Sequence, residues 1–271
     1  MKWGWAIWNM KGADQARKCR MAKELGLDFV SFVASPLRWA HRNPEAEAAT
    51  AALLGELGLG WTVHGAVGRG GDPEATAGLA SSLADTETFA AEAGPPLVVS
   101  FDPGYFVDEH GARSFDPEGT ARALASAVEK LSPLGTTVAV ENWKINSRPE
   151  QFAELGRRVD KLGMLLDVGH MNLHLTETGG EVADYVASLP LPIVDLHLHD
   201  NDGATDLHLP LGEGTLKLDE AAAAVAARGY DGLATAEVCP HLQGLDAAAG
   251  DIEKVRGTIE AAKRAFEGAR G

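Results

Sequence analysis

The chain is poor in cysteine and in positive charge, and it lacks any long apolar run. Two cysteines in 271 residues, Cys19 and Cys239, are too few and too far apart for a disulfide framework, which excludes the small bridge-stapled secreted folds. Cys19 falls on an amphipathic helix pattern and reads as core, and Cys239 has no evident partner for nucleophilic chemistry. Lysine and arginine number 24 against 39 acidic residues, a net charge of −15. Affinity for nucleic acid draws mainly on phosphate neutralisation, so this balance argues against such a partner, and no Lys/Arg run offsets it. No apolar segment approaches the roughly 20 residues of a membrane span. The opening MKWGWAIWNMKGADQ lacks the shape of a signal peptide and reads as a first strand, so the expected compartment is the cytoplasm. No Gly-x-Gly-x-x-Gly turn follows that strand, which weakens an open dinucleotide-binding sheet.

What is present is a regular alternation. Short apolar runs recur at 2–8, 28–33, 61–65, 96–101, 136–142, 163–169, 192–198 and 231–238, as expected of strands covered on both faces. Between them lie segments with apolar residues at three- and four-residue spacing. These start near Ala13, Pro44, Pro73, Pro117, Pro149, Gly180, Leu218 and Asp251, where Pro or Asp often opens a helix and Gly closes it. Eight strand–helix units over this length predict a (β/α)8 TIM barrel, one domain spanning residues 1–271. The segment from Asp200 to Lys217 is the longest insert and is rich in ligand-type residues, which marks it as a site loop.

Four of the strand patterns end in a residue type that apolar packing does not explain: VAVEN at Glu141, MLLDVGH at Asp167 and His170, VDLHLHD at His197 and His199, and LATAEV at Glu237. Charged groups are almost never fully buried unless paired or bound to a metal. Strand three adds His64, strand four adds Asp102, and the long loop adds Asp206 and His208. Two or three carboxylates with an imidazole suit Mn²⁺, Mg²⁺, Co²⁺ or Zn²⁺. Such a cation can chelate a hydroxyl and a carbonyl on adjacent carbons and stabilise the enediolate formed on proton loss. Glutamates on strands five and eight can flank that carbon, one removing the proton and the other returning it. Trp143, two residues past Glu141, with Trp5 and Trp8 on strand one, could wall a sugar pocket. The turn Leu211–Thr215 reads as structural, with Glu213 as an internal hydrogen-bond anchor.

These residues resemble the xylose isomerase-like barrel superfamily, which includes sugar isomerases and epimerases, inosose dehydratases, hydroxypyruvate isomerases and endonuclease IV. The resemblance spans the chain and is most specific from Val138 to Val238, through ENW, DVGH and HLHDNDGATDLHLPLGEG. It implies one divalent metal on Glu141, Asp167, His197 and Glu237, an acid/base pair of Glu141 and Glu237, and substrate contacts from His170 and His64. Ketohexose epimerases of the family carry an Arg shortly after the strand-seven His. This chain has His199-Asp200-Asn201 there, so His199 or Asn201 stands in its place. The chain also resembles the three-metal pattern of endonuclease IV, with Asp102 where that enzyme has a His. On that pattern His64, Asp102, His170, Asp206 and His208 would hold a second or third metal.

Three activities follow from the resemblance. The first is a metal-dependent isomerase or epimerase of an unphosphorylated sugar or polyol. The second is a lyase or dehydratase on an oxidised sugar, inosose or glycoside with the same machinery. The third is an endonuclease IV-like phosphodiesterase, against which the acidic charge stands. The partner expected is a small carbohydrate, with neither membrane nor nucleic acid, and a homo-oligomer fits barrels of this sort.

Overall fold

The computed structural model describes residues 1–7, 12–33, 44–143, 147–238 and 250–270. Trp8 and Cys239 lie outside these residues.

Eight parallel strands close into a barrel. They are β1 (Lys2–Ile7), β2 (Phe29–Val33), β3 (Gly60–Ala66), β4 (Val98–Asp102), β7 (Thr137–Glu141), β8 (Leu162–Asp167), β9 (Ile193–Leu198) and β10 (Leu233–Ala236). β1 closes the ring by pairing with both β2 and β10. The helices are α1 (Gly12–Glu24), α2 (Pro44–Leu57), α3 (Pro73–Ala93), α4 (Pro117–Leu131), α5 (Pro149–Arg158), α6 (Val168–Thr178), α7 (Val182–Ser188), α8 (Leu218–Ala227) and α9 (Gly250–Arg270). Among the described residues no helix is long and apolar enough to cross a membrane.

Side chains alternate across each strand, and the two faces build different cores. Trp5, Ile7, Val30, Phe32, Trp61, Val63, Val138 and Val140 join the large cluster between strands and helices. Phe29, Val98, Ala139, Leu165 and Leu233 form a second cluster, on the alternate positions that face the barrel axis. Gly4 belongs to that inner set: a Cβ there would sit 2.3 Å from the Phe29 ring. Trp5 therefore does not wall a pocket. It is buried on the outer face, with the Lys18 ammonium of α1 4.8 Å from its ring. A strand buried on both faces does not reveal from its sequence which parity is inward.

Two further elements differ from the sequence expectation. The helix expected near Gly180 is present as α7, but a further helix, α6, precedes it and begins at Val168, directly after β8. Asp167 makes this possible, because its Oδ1 accepts the His170 N–H at 2.7 Å and caps the first turn. A small antiparallel hairpin, β5 (Tyr105–Val107) with β6 (Arg113–Phe115), follows β4. Gly70 N–H donates to Tyr105 O at 2.7 Å and Tyr105 N–H to Gly68 O at 3.1 Å, which ties the hairpin to the loop after β3.

Candidate metal centre

Every ligand-type residue singled out in the sequence lies at the C-terminal mouth of the barrel. Glu141 and Asp167 end β7 and β8, His197 lies in β9, His64 in β3 and Asp102 ends β4. Glu237 follows β10, and its N–H still donates to Leu198 O at 3.0 Å, so the ladder holds it in place. His64, Glu141, Asp167, His197 and Glu237 are all buried.

The separations are those of a shared site. His64 Nε2 lies 3.1 Å from Glu141 Oε2 and 3.6 Å from Asp102 Oδ1. His197 Nδ1 lies 2.8 Å from Glu237 Oε2 and 3.9 Å from Asp167 Oδ2. Beside this group sits a second one: Asp206 Oδ2 is 3.1 Å from His170 Nε2, and Asp206 Oδ1 is 3.3 Å from His208 Nε2. His170 joins the two groups, with Nδ1 2.9 Å from Glu141 Oε1. One ligand atom from each of Glu141, Asp167 and His197 lies within 4.8 Å of the others, and the same holds for His64, Asp102 and Glu141, and for His170, His199, Asp206 and His208.

The donor set fits a divalent cation on an observation beyond composition. Glu141 Oε2, both ring nitrogens of His197 and Asp206 Oδ1 are buried without a hydrogen-bond partner. The short His197–Glu237 and His64–Glu141 separations do not contradict this, because those atoms are close without being aimed as hydrogen bonds. Buried polar atoms are normally satisfied, and unpartnered carboxylate and imidazole atoms suit a cation that takes nitrogen and oxygen ligands.

Neighbouring groups hold these side chains in place. Ser100 Oγ is 3.0 Å from His64 Nδ1 and itself donates to Val63 O, which leaves His64 Nε2 facing the carboxylates. The Asn142 side chain bridges to the Asp167 backbone, donating to its carbonyl at 2.9 Å and accepting its N–H at 2.8 Å. His208 Nδ1 donates to Glu237 O at 2.9 Å and turns Nε2 to Asp206. The loop after β9 is anchored by Asp200, not Glu213. Its carboxylate accepts the N–H groups of Asn201, Gly212, Gly214 and Leu216 at 2.8–3.0 Å. Gly214 is required there, because a Cβ would lie 2.2 Å from Asn201 O.

Without a cation, the histidines answer the carboxylates. Burial works against a charged imidazole, but Glu141, Asp102 and Glu237 outweigh it at His64 and raise its pKa to about 10. At His197 burial is overcome mainly by Glu237, and the pKa reaches about 9. The glutamates diverge. Burial raises Glu141 against the pull of His64 and His170. At Glu237 the effect of burial is exceeded by His197 and His208, and the pKa falls.

A cavity of about 250 Å³ opens over this centre, lined by His64, Asp102, Glu141, Trp143, His170 and Asp206 among others. Trp143 forms one wall, backed by Tyr105 at 6.5 Å between ring centroids. The Arg113 guanidinium lies 4.5 Å from the Tyr105 ring and 5.5 Å from the Trp143 ring. The sequence gives little sign of this backing, since the hairpin strands are only three residues each. His199 and Asn201 do not replace the missing Arg: both are fully buried. The Asn201 side chain is consumed by Gly169 O, Asn172 and the Gly203 N–H.

Comparison with known proteins follows the same lines. The family described as xylose isomerase-like TIM barrel matches residues 19–261. An uncharacterised protein of Methanocaldococcus jannaschii, MJ1311, is 32% identical over 124 residues, a match spanning 42% of this chain and 41% of that relative's length. Among solved structures, a D-tagatose 3-epimerase-like protein superposes with a TM-score of 0.74 at 21% identity, covering 100% of both chains. An L-ribulose 3-epimerase reaches 0.74 at 15% identity over 99% of this chain and 95% of its own. Endonuclease IV from Thermus thermophilus reaches 0.67 at 21% identity over 99% and 100%. At these identities the superpositions speak to the fold alone.

Proposed function

The chain belongs to the xylose isomerase-like TIM barrel family, and from that premise we propose that it is a divalent-metal-dependent isomerase or epimerase of an unphosphorylated sugar or polyol. Glu141, Asp167, His197 and Glu237 would hold one Mn²⁺, Mg²⁺, Co²⁺ or Zn²⁺. A cation bound there supplies Lewis acidity, polarising a substrate carbonyl and stabilising the charge that develops on its oxygen.

The observation that carries this reading is a pair of buried glutamates, Glu141 and Glu237, lining one cavity. One of the pair would take the proton from the substrate carbon and the other return it. Trp143 offers an apolar face to a sugar's C–H groups, and His64 and His170 line the same cavity. A lyase or dehydratase would begin with the same proton abstraction and differ in the leaving group on the next carbon. The test is to incubate metal-loaded protein with a panel of ketoses, aldoses and inososes in deuterated water. Incorporation of deuterium at a carbon next to the carbonyl supports the reading, and no exchange with any of them counts against it.

The grouping of His170, Asp206 and His208 favours a second reading, a multinuclear phosphodiesterase of the endonuclease IV type. Two or three tightly held Zn²⁺ and cleavage of an abasic-site duplex would establish it. The net charge of −15 weighs against a DNA partner.

A further inference from the structure

We infer that His199 is a positioning residue: it fixes the Asp167 carboxylate in the orientation that serves the cation site, and Gly169 is glycine to admit its ring. The inference rests on the metal reading above.

His199 lies two residues past His197, directly after the end of β9, yet it does not line the cavity. Its Nε2 sits 3.0 Å from Asp167 Oδ2, and since a carboxylate oxygen only accepts, the imidazole donates there. The other oxygen, Oδ1, accepts the His170 N–H at 2.7 Å. Both oxygens of Asp167 are therefore tied to the protein, and the carboxylate cannot rotate without breaking a buried bond. The ring of His199 is fixed as firmly. It stacks on His208 at 3.9 Å with an interplanar angle of 19°, and it meets the edge of His170 at 5.6 Å. Against it lies Gly169, in the first turn of α6. A Cβ at that position would stand 2.0 Å from His199 Cε1 and 2.4 Å from Nδ1, so any side chain there displaces the ring.

The alternative is that His199 is itself a ligand, in the second group with His170, Asp206 and His208 or in a group with Asp167 and Glu237. Its Nε2 is 3.9 Å from Asp206 Oδ1, against 3.0 Å from Asp167 Oδ2, so the donor edge is turned to Asp167. Partners that orient a metal ligand typically govern affinity by about 10–100-fold.

The experiment is a Co²⁺ titration of the metal-stripped full chain, followed by visible absorption, for the wild type, His199→Phe, His199→Gln and Gly169→Ala. Circular dichroism checks folding. His199→Phe is expected to weaken the first Co²⁺ by about 10–100-fold and to alter its absorption band, with the number of ions unchanged. Gly169→Ala should act in the same direction although it removes no polar group. His199→Gln keeps an N–H donor and should recover part of the loss. If Gly169→Ala does not fold, the Phe and Gln variants carry the comparison. An unchanged affinity in His199→Phe overturns the inference. So does loss of one equivalent with the first ion unaffected, which would make His199 a ligand of the second group. A wild-type chain that binds no Co²⁺ overturns the metal reading itself, and the inference with it.

Discussion

The bore of the barrel has two halves built on the same strands. In the lower half the inward positions carry Phe29, Val98, Ala139, Leu165 and Leu233. Further along β4, β7 and β8, and just past the end of β10, the inward positions carry Asp102, Glu141, Asp167 and Glu237. The backbone periodicity is continuous, so geometry alone does not separate the halves. The difference is what burial costs. Apolar side chains gain from it, whereas carboxylates lose several kcal/mol or so each unless a charge or a cation answers them. Two aspartates show this most directly. Asp195, fully buried below the mouth with a Thr235 hydroxyl at 3.2 Å, is driven by burial up to about 7. Asp167 is as deeply buried, but His170, His199 and His197 outweigh burial and hold it well below the usual carboxylate range. At Asp195 burial prevails over the pull of His197, whereas three histidines around Asp167 keep it charged and available.

Changes that break the mouth should affect function and spare the fold. Glu237→Gln is expected to lower turnover by about 100- to 10,000-fold, with an unchanged circular dichroism spectrum. Activity within a few-fold of wild type would remove Glu237 from the acid/base pair. His197→Ala should weaken cation binding beyond the roughly 10–100-fold typical of outer partners, as measured by calorimetric titration. Equal affinity would place the ion elsewhere.

The histidine charges give the comparison a pH axis. Folded-state values of about 10 for His64 and about 9 for His197 lie above 6.5. Their contribution to the stability of the metal-free protein is therefore complete below pH 6.5 and is lost as pH rises through 9 to 10. A cation on His197 requires its ring unprotonated, so its apparent affinity should climb from pH 7 toward pH 9, with protons released on binding. An affinity flat across that range would show that the ion displaces no proton from His197.

Changes to the lower half should do the reverse, altering stability before chemistry. Gly4→Ala puts a Cβ into the Phe29 ring and is expected to cost about 1–3 kcal/mol in denaturant unfolding, with cation affinity retained. A neutral effect would mean that the inner core repacks freely. The smallest change is expected from Asp195→Asn. Because the Asp195 pKa is raised, the folded state holds its proton between the ordinary carboxylate value and about 7. Wild-type stability should therefore fall as pH rises from 4 to 7, and the variant should lose that dependence. A pH profile identical to wild type would show that Asp195 does not titrate there.

Much of this was legible in the sequence because strand and helix patterns alternate with Pro and Gly punctuation, and because acids and histidines close apolar runs. α6 was not, since Gly169, His170 and Asn172 are weak helix formers, and the helix depends on the Asp167 cap. The outward face of Trp5 was hidden by burial on both sides of β1. His197 and His199 look equivalent in HLHD, and only the closed barrel shows that one faces the orphaned lone pairs while the other stands behind Asp167.

The most direct test of the account is elemental analysis of the full chain purified without chelator, repeated after reconstitution with Mn²⁺, Co²⁺ and Zn²⁺. About one equivalent of divalent metal or more is expected, lost in His197→Ala. A chain that holds no metal under any of these conditions would contradict it.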